Sequence, residues 1–361
     1  MHFALPPRKT SQPPPFARAA NLHNAAQRRR QMQGMGSIVL VLATLYLLYK
    51  ALFTGGTAPE PTEIEANPSV VMVTVFDESR QSKEFIDIVK ENREDYARRW
   101  GHVNFFTNVS TYESIIAPSP TSWSMVPALR HTLTLYPRST YVWYLSAYSL
   151  ITNPALGLSD HIFNNLTTLM QRDVPVVPPD SVIRTFSHLK PVNVHLILSQ
   201  DMDNLAHSSL ILRNAPSPAA AAASSPNSWP LFLLDAWLDP LYRTYAFQKA
   251  EQHALEHIVQ WHPTVLAKLA LIPQRMLNSY NFKYGDQEDP ENPGQKRHHD
   301  SMWQQGDFVV SLKGCEAGAG GGGDAGEGKE KGRDCMKEMR QYAEIWRNEV
   351  KSLDGVGSGN E

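Results

Sequence analysis

The chain has 361 residues, with 34 basic and 36 acidic side chains and two cysteines. That length suits one large domain or two smaller ones. The near-balance of charge gives no general attraction to nucleic acid. Cys315 and Cys335 suit one disulfide in an oxidising compartment or two unrelated thiols in a reducing one.

In chain order, residues 1–33 carry Arg8, Lys9, Arg18, Arg28, Arg29 and Arg30 and no acid, and predict a basic tail. Residues 34–53 (GMGSIVLVLATLYLLYKALF) hold a single charge, Lys50. An apolar run of about 20 residues is long enough to span a bilayer. Glu60, Glu63 and Glu65 follow with no base before Arg80. By the positive-inside rule the tail stays cytosolic and the rest is luminal. A cleaved signal peptide is the other reading, but its basic region is usually shorter and ends at a small-residue cleavage site. A luminal placement gives meaning to the sequons at Asn108 and Asn165 and allows a Cys315–Cys335 disulfide.

After a polar stem (54–68), the luminal domain spans 69–350. Val70–Phe76 is an apolar run that predicts a buried strand. SKEFIDIVKENREDYARRWG follows at helical spacing, and Gly101 marks its end. HVNFFTN (102–108) predicts a second strand, so the opening is strand, helix, strand and the sheet is expected to be parallel. Further helices are expected at 125–137, 161–173, across most of 229–263, and at 335–350. YVWYL (141–145) predicts a strand, as do SVIRTF, NVHLILSQD and GDFVVSLKGC (306–315). Three inserts, 215–228, 285–300 and 317–333, are too polar or glycine-rich to order by themselves, and 351–361 is expected to be a flexible tail.

Several stretches, in this order, resemble glycosyltransferase family 34, the fungal galactosyl- and mannosyltransferases. They are NREDYARRWGH (92–102), W-x-x-VPALR (123–130), YPRSTYVWYLSAYSLITNP (136–154), SQDMDNL (199–205), LILRN (210–214), EQHAL (251–255), PQRMLNSY (273–280) and GDFVVSLKGC. Within it, the likeness is greatest to subunits of the Golgi complexes that extend the α-1,6-mannan backbone. The resemblance implies an α/β, Rossmann-like type A glycosyltransferase fold behind one transmembrane anchor in the Golgi membrane. It also implies GDP-mannose as donor, Mn²⁺ across the diphosphate, a mannan or N-glycan acceptor, and homologous mannosyltransferase subunits as partners.

The departures from the family pattern fall in one place. Where the family has Asp-x-Asp after the strand, this chain has Ser146 and Tyr148. Ser311 stands for a histidine ligand, and Met125 for a lysine near the phosphates. A hard dication needs carboxylate oxygens to hold it against a diphosphate. The expectation is therefore a retained fold with no metal bound and weak or absent catalysis. Asp201, Asp203 and Glu251 remain as candidate catalytic residues, and Asp77, Asp201 and Asp203 as displaced ligands. Two other readings stay open. One is transfer without metal, with Lys313 or Arg275 neutralising the diphosphate; the other is a luminal glycan-binding module.

Overall fold

The computed structural model describes residues 68–177, 181–201, 204–215, 228–245, 247–281, 288–289, 292–296, 301–316 and 334–357. The expected anchor (34–53), most of the 215–228 insert and all of 317–333 lie outside these. Among the described residues no helix is long and apolar enough to cross a membrane.

The centre is a six-stranded sheet in the order β2-β1-β3-β6-β5-β7. The strands are β1 (Val70–Phe76), β2 (Val103–Asn108), β3 (Tyr141–Leu145), β5 (Leu196–Gln200), β6 (Leu205–Arg213) and β7 (Leu269–Ile272). β1 pairs in parallel with β2 and with β3, and β5 in parallel with β7. The expected all-parallel sheet is corrected by β6, which is antiparallel to both its neighbours. Only residues 201–204 join β5 to β6, and so short a connection can return the chain only antiparallel. Asp201 Oδ1 accepts from the Asn204 backbone N–H at 2.7 Å inside this turn.

Helix α1 (Lys83–Trp100) forms as its spacing predicts. The Ser82 side chain caps the Phe85 N–H, and Gly101 closes the helix at φ 67°. Helices α2 (Met125–Leu135), α3 (Trp229–Trp237) and α4 (Ala250–Trp261) cover one sheet face. The strands show why they are apolar at every position. Val142, Leu198, Leu210 and Leu271 enter the core on that face, whereas Trp143, Ile197, Ile211 and Ala270 enter the core on the other. Tyr96 and Phe308 pack on the second face with Trp143.

A second sheet has the order β4-β11-β8, from β4 (Ser149–Ile151), β8 (Ser279–Tyr280) and β11 (Val309–Ser311). The terminal helix α5 (Cys335–Gly357) packs on α1 and β4. Cys315 and Cys335 form a disulfide that joins the exit of β11 to the start of α5.

Some local expectations are corrected. The helix expected at 161–173 is broken into a π-turn at Ser159–Phe163 and a short helix at Leu166–Leu169. Asn164 and Asn165 bind the Asp160 side chain and carbonyl there, the competition asparagine offers a helix backbone. The 229–263 helix is divided at Pro240, which starts a separate short helix behind the Asp239 cap. SVIRTF contributes one bridge, Pro175 with Arg184, instead of a strand. The 285–300 insert carries a two-stranded ribbon, β9 (Glu288–Asp289) with β10 (Asn292–Lys296). Residues 351–357 continue α5 and are not tail.

Candidate functional site

β1, β3, β5 and β7 all point the same way, so their C-terminal ends share one edge of the sheet. Open α/β sheets place ligands at that edge. A cleft of about 120 Å³ opens beyond β1 and β3, lined in part by Asp77, Ser122, Met125, Ser146, Tyr148, His207, Ser208, Glu251 and Glu316.

The turn from β3 to β4 carries Ser146 and Tyr148, and α1 holds it from beneath. Arg93, with no exposed surface, donates to the Ser146 carbonyl at 3.2 Å and the Ser149 carbonyl at 2.7 Å. Asn92 pairs twice with the Ile151 backbone, donating at 2.9 Å and accepting at 3.0 Å. Burial lowers the Arg93 pKa to about 9. The NREDYARRWGH motif is thus the clamp of this turn.

Ser146 Oγ donates to Glu316 Oε1 at 3.3 Å and accepts from the Tyr148 N–H at 3.2 Å. The Ser146 N–H donates to the Ser208 carbonyl at 2.8 Å. Ser208 Oγ donates to Asn278 Oδ1 at 3.0 Å and lies 3.4 Å from Ser311 Oγ, and Ser311 has no exposed surface. The fold therefore gathers Ser146, Ser208 and Ser311, residues far apart in sequence. Met125 lines the same cleft, 2% exposed, at the first position of α2. Burial raises the pKa of the Tyr148 phenol, so it stays protonated and neutral.

At the positions where the resemblance places Mn²⁺ ligands, the side chains are therefore hydroxyls: Ser146, Tyr148 and the sealed Ser311. A protonated hydroxyl brings no charge to a hard dication, so this donor set does not fit the ion. The carboxylates nearby have other partners. Glu251 Oε2 accepts from Ser122 Oγ at 2.5 Å, and Glu251 Oε1 lies 3.2 Å from His207 Nε2. Asp77 binds within its own turn, to Ser79 and Arg80. Among the described residues no three His, Cys, Asp or Glu side chains group as a metal site.

The remaining candidates separate. Glu251 is in the cleft. Asp201 is not; it accepts from the Tyr280 hydroxyl at 2.6 Å and lies 3.6 Å from Lys313 Nζ. Asp203 lies outside the described residues. Arg275 makes a two-point bond to Asp307, at 3.0 and 2.7 Å. Neither Lys313 nor Arg275 lines the cleft. Asn108 caps a turn by accepting from the Ser110 N–H at 3.2 Å, and Asn165 is exposed. Ser122, His207 and Glu316 were not singled out as site residues by sequence. His207 and Ser208 interrupt the apolar run of β6, which is the local signal available for them.

The chain belongs to the galactosyl transferase GMA12/MNN10 family, whose model matches residues 66–320. It is 30% identical, over 81% of its length and 88% of the relative's, to an uncharacterized alpha-1,2-galactosyltransferase of Schizosaccharomyces pombe. It is 26% identical to the probable alpha-1,6-mannosyltransferase MNN10 of Saccharomyces cerevisiae, over 71% of this chain and 58% of that one. Among solved structures it resembles a glycosyltransferase that glycosylates the major capsid of PBCV-1, with 10% identity and a TM-score of 0.40 over 76% of this chain and 98% of that one. So loose a likeness decides nothing about chemistry. The family is one of hexosyltransferases, and both galactosyl- and mannosyltransferase names stand among its members.

Proposed function

We propose that this protein is a Golgi subunit of an α-1,6-mannosyltransferase assembly, held by a single N-terminal anchor with its α/β domain luminal. In this reading it has little or no transfer activity of its own and supports homologous active subunits on a mannan or N-glycan acceptor. The observation that carries the reading is the replacement of charge at one spot. Ser146 and Tyr148 line the cleft at the end of β3 together with Met125, and Ser311 lies behind it, 3.4 Å from Ser208 Oγ. Around them the supporting frame is intact, with Arg93 and Asn92 still clamping the turn.

Metal-free transfer is the weaker reading for a physical reason. It needs cations free to face a diphosphate. Lys313 and Arg275 face Asp201 and Asp307, away from the cleft. The cleft itself carries Asp77, Glu251 and Glu316 against Arg80, a surplus of negative charge that repels phosphate.

The deciding experiment is calorimetric titration of the protein with GDP and Mn²⁺, singly and together. Absent GDP binding, or GDP binding that Mn²⁺ does not strengthen, is the expected result. Cooperative binding of the two, or turnover of GDP-mannose by the protein alone, would sink the proposal.

A further inference from the structure

A pocket of about 360 Å³ opens where the end of α1 meets the segment that follows β4. It shares no lining residue with the Ser146 cleft. Asn165 lines it, and Asn165 opens the sequon Asn165-Leu166-Thr167. The break in the expected helix presents this sequon to solvent. Asn165 and Thr167 are exposed, while Leu166 between them is buried and holds the short helix to the core. Asn165 Nδ2 donates to the Asp160 carbonyl at 2.6 Å. An amide nitrogen carries two hydrogens. One is enough for that bond, so the other can be exchanged for a sugar and the contact kept.

The pocket wall beside Asn165 is an aromatic plate. Trp100, the last residue of α1, is 37% exposed there. Its Nε1 donates to the Pro154 carbonyl at 3.0 Å, so its polar end is already engaged. Its ring lies on Gly157, where an added Cβ would come within 2.6 Å of a ring carbon. Glycine permits that close approach, and any side chain would displace the ring. The rest of the wall is polar and carries no lysine or arginine. Asp160 offers a carboxylate. His161 is held by the Met276 carbonyl at 2.9 Å, and burial lowers its pKa, which keeps the imidazole neutral. A sugar ring has an apolar C–H face for the indole and hydroxyl or amide donors for Asp160. The volume leaves room for about one or two such rings.

We propose that Asn165 carries an N-linked glycan whose first N-acetylglucosamine packs in this pocket against Trp100. The inference rests on the luminal placement proposed above. In the linking step a lipid-diphosphate oligosaccharide is the co-reactant. Asn165 Nδ2 bonds to its anomeric carbon, the bond from that carbon to the diphosphate oxygen breaks, and the lipid diphosphate leaves with the electron pair. One Nδ2 proton is lost, and the other hydrogen continues to donate to the Asp160 carbonyl. The glycan covers the exposed indole and leaves the Ser146 cleft open.

The test uses the full chain made in a eukaryotic secretory host. Glycopeptide mass spectrometry should find Asn165 modified in wild type and bare in Thr167→Ala, which keeps the asparagine and changes only an exposed side chain. Hydroxyl-radical labelling should then oxidise Trp100 about threefold slower or more in wild type than in Thr167→Ala, because the sugar removes ring surface from water. Trp261, 67% exposed and outside the pocket, should be labelled equally in both. Asn165→Gln should reproduce Thr167→Ala. Equal labelling of Trp100 overturns the seat, and so does a change at Trp261 in step with Trp100, which would mean a global effect. Protease protection in sealed membranes reads the compartment separately. A protected domain with bare Asn165 overturns this inference and leaves the functional proposal standing. A domain open to protease from the cytosolic side overturns the luminal placement and this inference with it.

Discussion

Asn92 and Arg93 meet the β3–β4 turn from the helix side; Ser146 and Tyr148 meet the cleft from the same turn. The first pair spends a buried charge and four hydrogen bonds to hold the Ser146–Ile151 backbone. The second pair presents only neutral hydroxyl groups. Burying a guanidinium is costly in itself and persists where position matters. The contrast teaches that positioning and chemistry are separate layers of this site. A chain can keep the first after the second has changed, because the clamp bonds to backbone and is indifferent to which side chains the turn displays.

The largest expected effect comes from breaking the clamp. Arg93→Met removes three charge-assisted bonds, to the Ser146 and Ser149 carbonyls and the Asn92 amide oxygen, although the Ser149 N–H still serves the first and the Ile151 N–H the last. Hydrogen bonds to a charged group are worth about 1.5–3 kcal/mol each, so a total of about 4 kcal/mol is expected. Denaturant unfolding measures it. Arg93→Lys should recover only part, because one ammonium does not reproduce the forked geometry. Full stability in Arg93→Met would mean the clamp is decorative.

Next comes the disulfide. Cys315 and Cys335 are separated by 20 residues, and Cys315 is followed directly by Glu316, the acceptor for Ser146 Oγ. Cys335→Ala should lower stability by about 3 kcal/mol through loop entropy restored to the unfolded chain. Comparing unfolding of the variant with that of the reduced wild type checks the figure, and the two should agree.

A pH-dependent effect of similar size sits behind the cleft on α4. Burial pushes the Glu256 carboxyl up from 4.5 to about 7, against the opposing hydrogen bond from the Leu205 N–H. The folded state therefore binds this proton more tightly than the unfolded chain. Its contribution is present in full below pH 4.5 and lost as pH rises to about 7, a change of about 3 kcal/mol. Glu256→Gln should remove that loss. Parallel stability curves for variant and wild type between pH 4.5 and 7 would show that the carboxylate stays ionised throughout.

How much was legible in advance follows from the same separation. Strands buried on both faces, such as β1 and β3, announce themselves as unbroken apolar runs, and α1 carried both its cap and its glycine stop. β6 did not announce itself. His207, Ser208 and Ser209 interrupt its apolar pattern, since this is where the strand borders the cleft. The meeting of Ser146 with Ser208 and Ser311 depends on pairings across the two sheets, which no local pattern records. Ser122 and Glu316 reach the cleft from a turn and a loop, and nothing in their own neighbourhoods marks them.

The smallest expected effect bears most directly on function. Ser146→Ala removes two weak contacts, at 3.3 and 3.2 Å, and should cost no more than about 1 kcal/mol. If the cleft no longer transfers sugar, the variant should leave transferase activity of any assembly containing this subunit within about twofold of wild type, a barrier change under about 0.5 kcal/mol. A working site gives a different outcome, because Ser146 stands at the position where the family resemblance places a ligand of the donor's metal. Losing its hydroxyl there should cost tenfold or more. The complementary variant pairs Ser146→Asp with Tyr148→Asp, placing two carboxylates on the clamped turn. If the frame is as intact as Arg93 and Asn92 indicate, Mn²⁺ should raise the melting temperature of that variant and leave wild type unmoved, by the linkage of binding to stability. A wild-type shift as large as the variant's would show that this cleft already holds the ion and that its chemistry was never lost.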